Sequence, residues 1–336
     1  MAKIILPDFL KFNGCNILIT GATGLIGSTL VRTLMPYSDQ YNFSIYALGR
    51  DAKRAERLFS EYAYSDRLCF IQQDIVEPLK SDIQFHYIIH LASGASPNIM
   101  VSNPVDIMKA NLWGTDNLLS YGINHDMQRF LYVSSGEIYG EGNGDVFSET
   151  SSGYVNSMLP RSCYPSSKRA AETLCSSYAA QYGADIVVAR PCHIYGESFT
   201  ENDNRAYAQF IRNVVNGEDI VLKSDGMQYR SWLYVDDCVS ALLYILLKGV
   251  CGEAYNVADE NSNLSIRELA ETIAELGNRR IVFTNPSDSE FRGGSKITKA
   301  VFDTKKLKSL GWVPQYTYYR ALEKIIKQYQ TNSIIL

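Results

Sequence analysis

The first 190 residues alternate between short apolar runs and segments with helical periodicity, and this alternation constrains the fold more than any other feature. Each run ends at a glycine, a proline or a polar residue, as a strand buried on both faces does. The runs are residues 15–20 (CNILIT), 43–49 (FSIYALG), 67–74 (RLCFIQQD), 87–93 (YIIHLAS), 129–135 (RFLYVSS) and 185–191 (DIVVARP). Repeated strand–helix units of this kind predict a parallel sheet with helices on both faces.

The alternation breaks after Pro191, which suggests a second, smaller region. We therefore predict an α/β protein in two parts. A doubly wound parallel sheet is expected over residues 1–190 together with about 234–260. A smaller mixed α/β region, expected to bind substrate, covers 191–233 and 261–336. Helical patterns are found near residues 25–35, 206–216, 265–277 and 319–329, and a further strand pattern near 253–259.

Composition excludes several classes of function. The chain has 336 residues, 46% of them hydrophobic, which is enough to bury a large core. Its formal net charge is −4, so it has no excess of basic residues with which to bind a nucleic acid. Its seven cysteines are scattered without a Cys-x-x-Cys, which indicates a reducing, cytoplasmic compartment rather than a disulfide framework. No segment reaches the length of a signal peptide or membrane span, and the four histidines lack metal-ligand spacing. We expect no membrane, nucleic acid or metal.

A glycine-rich loop, TGATGLIG, follows the first predicted strand directly and opens the first helix. Gly21, Gly24 and Gly27 allow a sharp turn and a close approach to a pyrophosphate at the helix N-terminus, so a Rossmann-type dinucleotide site is predicted. The second strand ends with Gly49 where an acid often binds the ribose of NAD, and Arg50 follows it. This favours NADP over NAD, the alternative being that Arg50 is simply a solvated arginine at a strand end.

Tyr164 and Lys168 lie four positions apart in the helical segment RSCYPSSKRAAE. That spacing puts a phenol and an ammonium on the same helix face. A positive charge beside the phenol is expected to lower its pKa from about 10 towards the range of a general base. The alternative is an ordinary helix surface, and only the rest of the sequence decides between the two.

Six motifs occur in one order along the chain. They are the three glycines, HLAS (90–93), Asn111 in NLWGTDNLL, YVSSGEIYG (132–140), Tyr164 with Lys168, and YVDD (234–237). Together they resemble the extended short-chain dehydrogenases/reductases, specifically the branch of nucleotide-sugar epimerases, dehydratases and decarboxylases. The resemblance spans about Cys15 to Tyr329.

The resemblance implies that Tyr164 is the catalytic base, Lys168 its partner and Ser135 the residue that binds the sugar hydroxyl being oxidised. Hydride would pass from a sugar carbon, usually C4, to the nicotinamide. The implied cofactor-binding residues are Gly21, Thr23, Gly24, Leu25, Ile26, Gly27, Arg50, Asp74, Ile75, Leu91, Ala92, Ser93, Asn111, Tyr164, Lys168, Pro191 and His193. The implied substrate-binding residues are Ser93, Ser134, Ser135, Glu137, His193, Arg205 and Arg230. Asp74 looks like the residue that meets the adenine, although an acid at a strand end is as often a helix cap.

Glu137 distinguishes members of this branch. The 4,6-dehydratases and sugar-acid decarboxylases resemble this chain in having a glutamate two positions after the triad Ser/Thr, and a carboxylate near C5 of a 4-keto sugar can remove the acidified C5 proton. Glucose-type dehydratases place an aspartate between the two residues. Gly136 stands there instead, which brings SGE nearer to decarboxylases and mannose-type dehydratases. The alternative is that Glu137 binds a sugar hydroxyl or is a solvated loop carboxylate.

The sequence specifies the roles of three predicted substrate-binding residues less fully than that of Glu137. Arg230 matches the arginine that the resembling family uses on the nucleotide diphosphate, and Arg205 could share that contact. His193 replaces the asparagine of the family pattern R-P-x-N-x-Y-G, so its role stays open. Nothing in the sequence identifies the nucleotide base.

The sequence therefore predicts an NAD(P)-dependent enzyme that oxidises a nucleotide-linked hexose at C4 and then uses Glu137 for dehydration or decarboxylation. The alternatives are a 4-epimerase, an NADPH-dependent keto-sugar reductase and, least favoured, a non-catalytic NADP-binding sensor. A homodimer is also predicted, because helices near 111–122 and 165–182 resemble the four-helix interface of the family. The apolar residues behind this prediction are Leu118, Leu119, Ala171, Leu174 and Tyr178.

Overall fold

The computed structural model describes residues 5–142, 144, 146–199, 203, 205–284 and 298–331, without the side chains of Pro97 and Asn98. Within these residues the main sheet has seven strands in the order β10-β6-β5-β4-β1-β2-β3, and every neighbouring pair is parallel. Its strands are β1 (Asn16–Thr20), β2 (Ser44–Gly49), β3 (Leu68–Gln72), β4 (Tyr87–His90), β5 (Arg129–Val133), β6 (Ile186–Pro191) and β10 (Ala254–Val257). The predicted doubly wound parallel sheet is confirmed.

The strand order reverses beside β1. The chain passes from β1 to β2 and β3 on one side, and then returns to place β4 on the other side of β1. At such a reversal the loops leaving the carboxyl ends of the two central strands diverge and open a crevice, where open α/β sheets bind ligands. The glycine loop after Thr20 and the segment after His90 border this crevice.

Helices cover both faces of the sheet. They are α1 (Leu25–Ser38), α2 (Ala52–Leu58), α3 (Pro97–Ser102), α4 (Pro104–Asn124), α5 (Cys163–Tyr182), α6 (Ala206–Val215), α7 (Val235–Lys248), α8 (Ile266–Gly277), α9 (Lys305–Ser309) and α10 (Tyr318–Thr331). Helices α1 and α7 pack on one face, where Ile17 and Ile19 point, and α4 and α5 pack on the other with Leu18. This alternation of side chains is the period-two geometry of a strand buried on both faces.

Helix α7 is not predicted by amphipathic periodicity. Twelve of its fourteen residues are buried, from Val235 to Leu247. A helix that is apolar on nearly all sides shows no polar stripe in the sequence. It follows β9 (Tyr229–Tyr234) without a break and so connects the smaller region to the main sheet.

The smaller region contains two short sheets. Strand β9 pairs with β7 (His193–Tyr195), β11 (Asn263–Ser265) and β13 (Lys299–Ala300), while β8 (Ile220–Leu222) pairs with β12 (Ile281–Phe283). Helices α6 and α8 contact each other and α10. Strand β9 thereby carries Arg230 and Trp232 towards the carboxyl edge of the main sheet, beside His193.

The described residues include no helix long and apolar enough to cross a bilayer. The apolar residues behind the dimer prediction lie largely inside the protomer: Leu118, Leu119 and Ala171 are fully buried in the cluster beneath α4 and α5. The exposed face of α4 carries three apolar residues, Val105, Met108 and Trp113, which are 40–61% exposed, with the Lys109 ammonium over the Trp113 ring. The homodimer stays a prediction, and this face is now the reason for it.

Candidate active site

The glycine loop adopts a conformation that requires at least two of its glycines. Gly21 has a φ of +64°, and a Cβ there would lie 2.8 Å from the backbone nitrogen of Ala92. A Cβ on Gly27 would lie 2.3 Å from the carbonyl oxygen of Gly21. The loop therefore packs against the segment after β4, and α1 packs against the loop. No side chain of the described residues caps α1, whose N-cap is Gly24, so its first N–H groups are open to an anion.

Buried polar atoms without partners mark the same edge of the sheet. Among the described residues, Ser93 Oγ, Asn111 Oδ1 and Ser134 Oγ have no hydrogen-bond partner although they are buried. Buried polar groups are normally satisfied, so these atoms suit a polar ligand. Together with the open helix N-terminus they fit a dinucleotide lying across the crevice.

Just beyond the carboxyl ends of β2 and β3, the Arg50 guanidinium lies 3.6 Å from the Asp74 carboxylate, and the Arg50 side chain is 80% exposed. Asp74 also accepts a hydrogen bond from the N–H of Val76, so it caps a turn as well as facing the site. Arg54 was not predicted as a site residue; its Nε donates to the carbonyl of Thr23 at 2.9 Å. The other predicted cofactor residues lie along the loop and the strand ends: Leu25, Ile26, Ile75, Leu91, Ala92 and Pro191.

Tyr164 and Lys168 are both buried on the inner face of α5, 6% and 2% exposed respectively. The Lys168 ammonium donates to the carbonyl oxygen of Val133 at 2.8 Å and lies 5.9 Å from the centre of the Tyr164 ring. It also lies 4.8 Å from the ring of Tyr132. The structure thus brings the phenol and the ammonium together beside the end of β5, as the sequence predicts.

The predicted lowering of the Tyr164 pKa is wrong for the cofactor-free protein. The pKa of Tyr164 is raised to about 12. Burial raises it most and the charge of Glu137 adds to this, against the lowering effects of a hydrogen bond with Ser135 and the charges of Arg205 and Arg161. Burial also lowers the pKa of Lys168 to about 7. The reason is desolvation, which disfavours the charged form of both groups.

Ser135 and Glu137 lie at the start of a short 3₁₀ helix, Gly136–Tyr139, that follows β5. Ser135 caps it by accepting the N–H of Glu137 at 3.2 Å. The Glu137 carboxylate accepts two hydrogen bonds from Arg161, at 2.8 Å from Nη1 and 3.0 Å from Nη2. Arg161 was not predicted as a site residue; the available signal was its position three residues before Tyr164.

Gly136 faces the ring of Phe302. A Cβ at position 136 would lie 2.3 Å from Cζ and 2.7 Å from Cε1 of that ring. Phe302 is 2% exposed and packs among Tyr139 and Phe147. The space that an aspartate would need between Ser135 and Glu137 is therefore occupied by a fixed aromatic side chain.

The predicted substrate residues of the smaller region reach the same cleft. Desolvation and the charges of Arg230 and Arg205 lower the pKa of His193, and the charge of Glu137 raises it, although the His193 side chain is exposed. The His193 ring lies 5.2 Å from that of Trp232. Glu137 likewise acts on Arg230, which is 4% exposed. The charge of Glu137 thus acts on both His193 and Arg230, while that of Arg205 acts on His193.

Arg205 is less available for substrate than predicted. Its Nη2 and Nε form hydrogen bonds with Asp203 at 2.5 and 2.9 Å, and its Nη2 also donates to Tyr207 at 2.9 Å. Its charge is therefore largely compensated, whereas Arg230 lies deeper in the cleft. Among the described residues no group of three or more His, Cys, Asp or Glu could hold a metal ion.

Comparison with known proteins identifies relatives along almost the whole chain. The family model "NAD dependent epimerase/dehydratase family" matches residues 17–258. A UDP-glucuronic acid decarboxylase 5 of Arabidopsis thaliana is 35% identical over 302 residues, 89% of this chain and 84% of that protein. A UDP-glucuronic acid decarboxylase 1 of Xenopus tropicalis is 32% identical over 319 residues, 94% of this chain and 72% of that protein.

A solved structure supports the fold. The dTDP-glucose 4,6-dehydratase of Streptomyces venezuelae, solved with NAD bound, has a TM-score of 0.81 and 24% identity, covering 94% of this chain and 97% of that one. At this identity the likeness concerns the architecture of the chain.

Proposed function

This chain belongs to the NAD-dependent epimerase/dehydratase family, and from that premise we propose that it oxidises a nucleotide-linked uronic acid at C4 and then decarboxylates it. The observation that carries the proposal is the position of Glu137 beside Tyr164, with the neighbouring position 136 closed by Phe302. A carboxylate near C5 allows a second step after oxidation. The ring of Phe302 excludes the extra aspartate of glucose-type dehydratases, and the two relatives named above at 32% and 35% identity are decarboxylases.

The residues divide the chemistry as follows. Tyr164 takes the proton of the C4 hydroxyl, while Ser135 orients that hydroxyl and Lys168 supplies positive charge to the developing phenolate. A bound nicotinamide supplies the hydride acceptor for C4 and later returns the hydride. Once C4 is a carbonyl, the C5–C6 bond breaks and carbon dioxide leaves. The electron pair of the broken bond stays on the sugar and is delocalised onto the C4 oxygen. Glu137 positions C5 and passes it a solvent proton. The net reaction consumes one proton and releases one carbon dioxide.

The cofactor proposal rests on the crevice. We assign the pyrophosphate to the loop of Gly21, Gly24 and Gly27 and the N-terminus of α1, and the polar groups of the nicotinamide half to the unpartnered atoms of Ser93, Asn111 and Ser134. The structural relative binds NAD. The exposed Arg50 supports a preference for NADP, since a guanidinium at the ribose end suits a 2′-phosphate.

The remaining proposals follow from the same arrangement. Arg230 is assigned to the diphosphate of the nucleotide sugar, and the residues 191–233 and 261–336 to the substrate-binding region. The exposed face of Val105, Met108 and Trp113 on α4 is assigned to a homodimer.

The test is incubation of the wild type with UDP-glucuronic acid and NAD⁺ or NADP⁺ in D₂O, followed by mass spectrometry. We expect loss of carbon dioxide and one deuterium at C5 of the product. Tyr164→Phe should abolish all turnover, because the hydroxyl proton can no longer be taken as hydride leaves.

Glu137→Gln should still reduce the cofactor but turn over about 100-fold more slowly, because the protonation of C5 that follows loss of carbon dioxide lacks its positioned acid. Loss of water instead would indicate a dehydratase, and a product of unchanged mass without deuterium an epimerase. Either outcome, or a Glu137→Gln variant with wild-type turnover, would refute the proposed reaction.

A further inference from the structure

The Arg161–Glu137 pair fixes a carboxylate in the candidate active site. Two nearly parallel donors, Nη1 and Nη2, meet the two carboxylate oxygens at 2.8 and 3.0 Å. A planar guanidinium bound in this way restrains both the position and the rotation of the carboxylate, which a single ammonium contact does not. The pair is 40% and 34% exposed, so it faces the open cleft rather than the core.

The pair also joins the two segments that carry the catalytic groups. Glu137 lies in the 3₁₀ helix capped by Ser135, and Arg161 lies in the turn Pro160–Ser162 that leads into α5 and Tyr164. That turn is anchored independently, because Ser162 Oγ donates to the carbonyl of Asn156 at 2.6 Å. Arg161 therefore holds Glu137 from a turn that has its own hydrogen bond to another part of the chain, separate from the segment that carries Glu137.

The charges of the pair act on Tyr164 in opposite directions. Glu137 raises the pKa of Tyr164, whereas Arg161 lowers it. Arg161 therefore offsets part of the carboxylate's effect on the phenol, beside the larger lowering effects of the Ser135 hydrogen bond and the Arg205 charge. Removing Arg161 alone would leave the Glu137 charge less compensated beside a phenol that must lose its proton during oxidation.

We propose that Arg161 is a positioning residue with two consequences: it holds the Glu137 carboxylate in place for the step after oxidation, and it shields Tyr164 from the charge of that carboxylate. This inference rests on the proposed function, since it assumes that Glu137 acts on C5. Arg161 is not assigned a contact with substrate; it acts through Glu137.

The experiment compares Arg161→Gln, Arg161→Lys, Glu137→Gln and the double variant Glu137→Gln/Arg161→Gln, with UDP-glucuronic acid as the probe. Arg161→Gln should slow carbon dioxide release about 10- to 100-fold through kcat with little change in KM, because misplacement of a catalytic group by about 1 Å costs up to this much. Arg161→Lys should recover only part of the rate, since a lysine keeps the charge without the two-point contact. Added guanidinium ion should restore part of the activity of Arg161→Gln.

A pH profile separates positioning from a structural role. For single-turnover cofactor reduction, the rate of Arg161→Gln should rise at higher pH than in the wild type, whereas the double variant should return towards the wild-type profile because both charges are gone. A matched control is Arg129→Lys. Arg129 pairs with Asp185 at 2.7 Å at the start of β5, on the opposite edge of the sheet, so this variant should keep the wild-type rate and profile.

Three results would overturn the inference: an Arg161→Gln variant that releases carbon dioxide within about threefold of wild type, an unshifted pH profile, or equal shifts in the single and double variants. If Arg161→Gln fails to fold, Arg161→Lys at the wild-type rate decides against the inference in the same way. These results differ from failure of the proposed function, in which Glu137→Gln itself would leave the second step unchanged.

Discussion

Replacement of Gly136 by alanine tests whether Phe302 closes the position beside Glu137. Taken alone, alanine in a helical turn is more favourable than glycine by about 0.5–1 kcal/mol. The new methyl group would, however, lie 2.3 Å from Cζ of Phe302, far inside van der Waals contact. The sign of the change in stability therefore shows which effect dominates.

The ring of Phe302 has little room to move away. It is 2% exposed, its centre lies 5.6 Å from that of Tyr139 and 6.0 Å from that of Phe147, and its backbone N–H donates to Ser231 at 3.2 Å. Overpacking in such surroundings costs about 1–3 kcal/mol. Taking the middle of each range, about 2 kcal/mol less about 0.8 kcal/mol, leaves an expected net loss of about 1 kcal/mol in the free energy of unfolding.

The assay is urea unfolding of the wild type, Gly136→Ala, Phe302→Leu and the double variant. Gly136→Ala should lower the urea midpoint, and Phe302→Leu should lower it through the cavity that the lost ring leaves. In the double variant alanine has space, so the combined loss should fall short of the sum by at least about 0.5 kcal/mol. An alanine variant as stable as the wild type, or strictly additive losses, would refute the argument that Phe302 closes this position.

Three further results are expected. Arg50→Ala should weaken NADP binding by about 1.5–3 kcal/mol and leave NAD binding unchanged, as measured by calorimetry. Equal losses for both cofactors would show that Arg50 is simply a solvated arginine at a strand end. Burial lowers the pKa of Lys168 to about 7, so between pH 7 and pH 10 the unfolded chain binds a proton at Lys168 that the folded protein does not. In urea titrations without cofactor, the free energy of unfolding of the wild type should therefore rise relative to that of Lys168→Met over this range. A difference between the two proteins that stays constant over this range would contradict the prediction. Trp113→Glu should convert a dimer to a monomer near 37.7 kDa by light scattering, and a wild type that is already a monomer would refute the dimer.

Local sequence patterns predict the main sheet well, because each strand carries its own signal. The run ending at Thr20 and the glycine loop after it need no distant residue to be recognised, and the structure confirms both. Helix α7 is the counterexample. Its polarity pattern is lost because it is buried on nearly every side, and burial is a property of the finished fold.

The site is predicted less completely, for a related reason. Ser135, Glu137, Tyr164 and Lys168 belong to short motifs and come together as expected. The partners that set their properties are distant in sequence: Arg161 lies 24 positions from Glu137 and pairs with it only once the chain has folded. Desolvation also depends on the whole fold, so the rise in the pKa of Tyr164 could not be read from its spacing to Lys168.

The hydrogen bond from Lys168 to the carbonyl of Val133 has a consequence for how this site can vary. A main-chain oxygen is present whatever side chain the residue carries, so no single substitution at position 133 removes the acceptor. The ammonium is located by the register of β5 against its neighbours, Tyr87↔Arg129 to His90↔Tyr132 on one side and Phe130↔Ile186 to Val133↔Ala189 on the other. A change that shifted this strand by one residue would displace the ammonium even with every site side chain intact, whereas exchange of Val133 for another apolar residue would leave it in place.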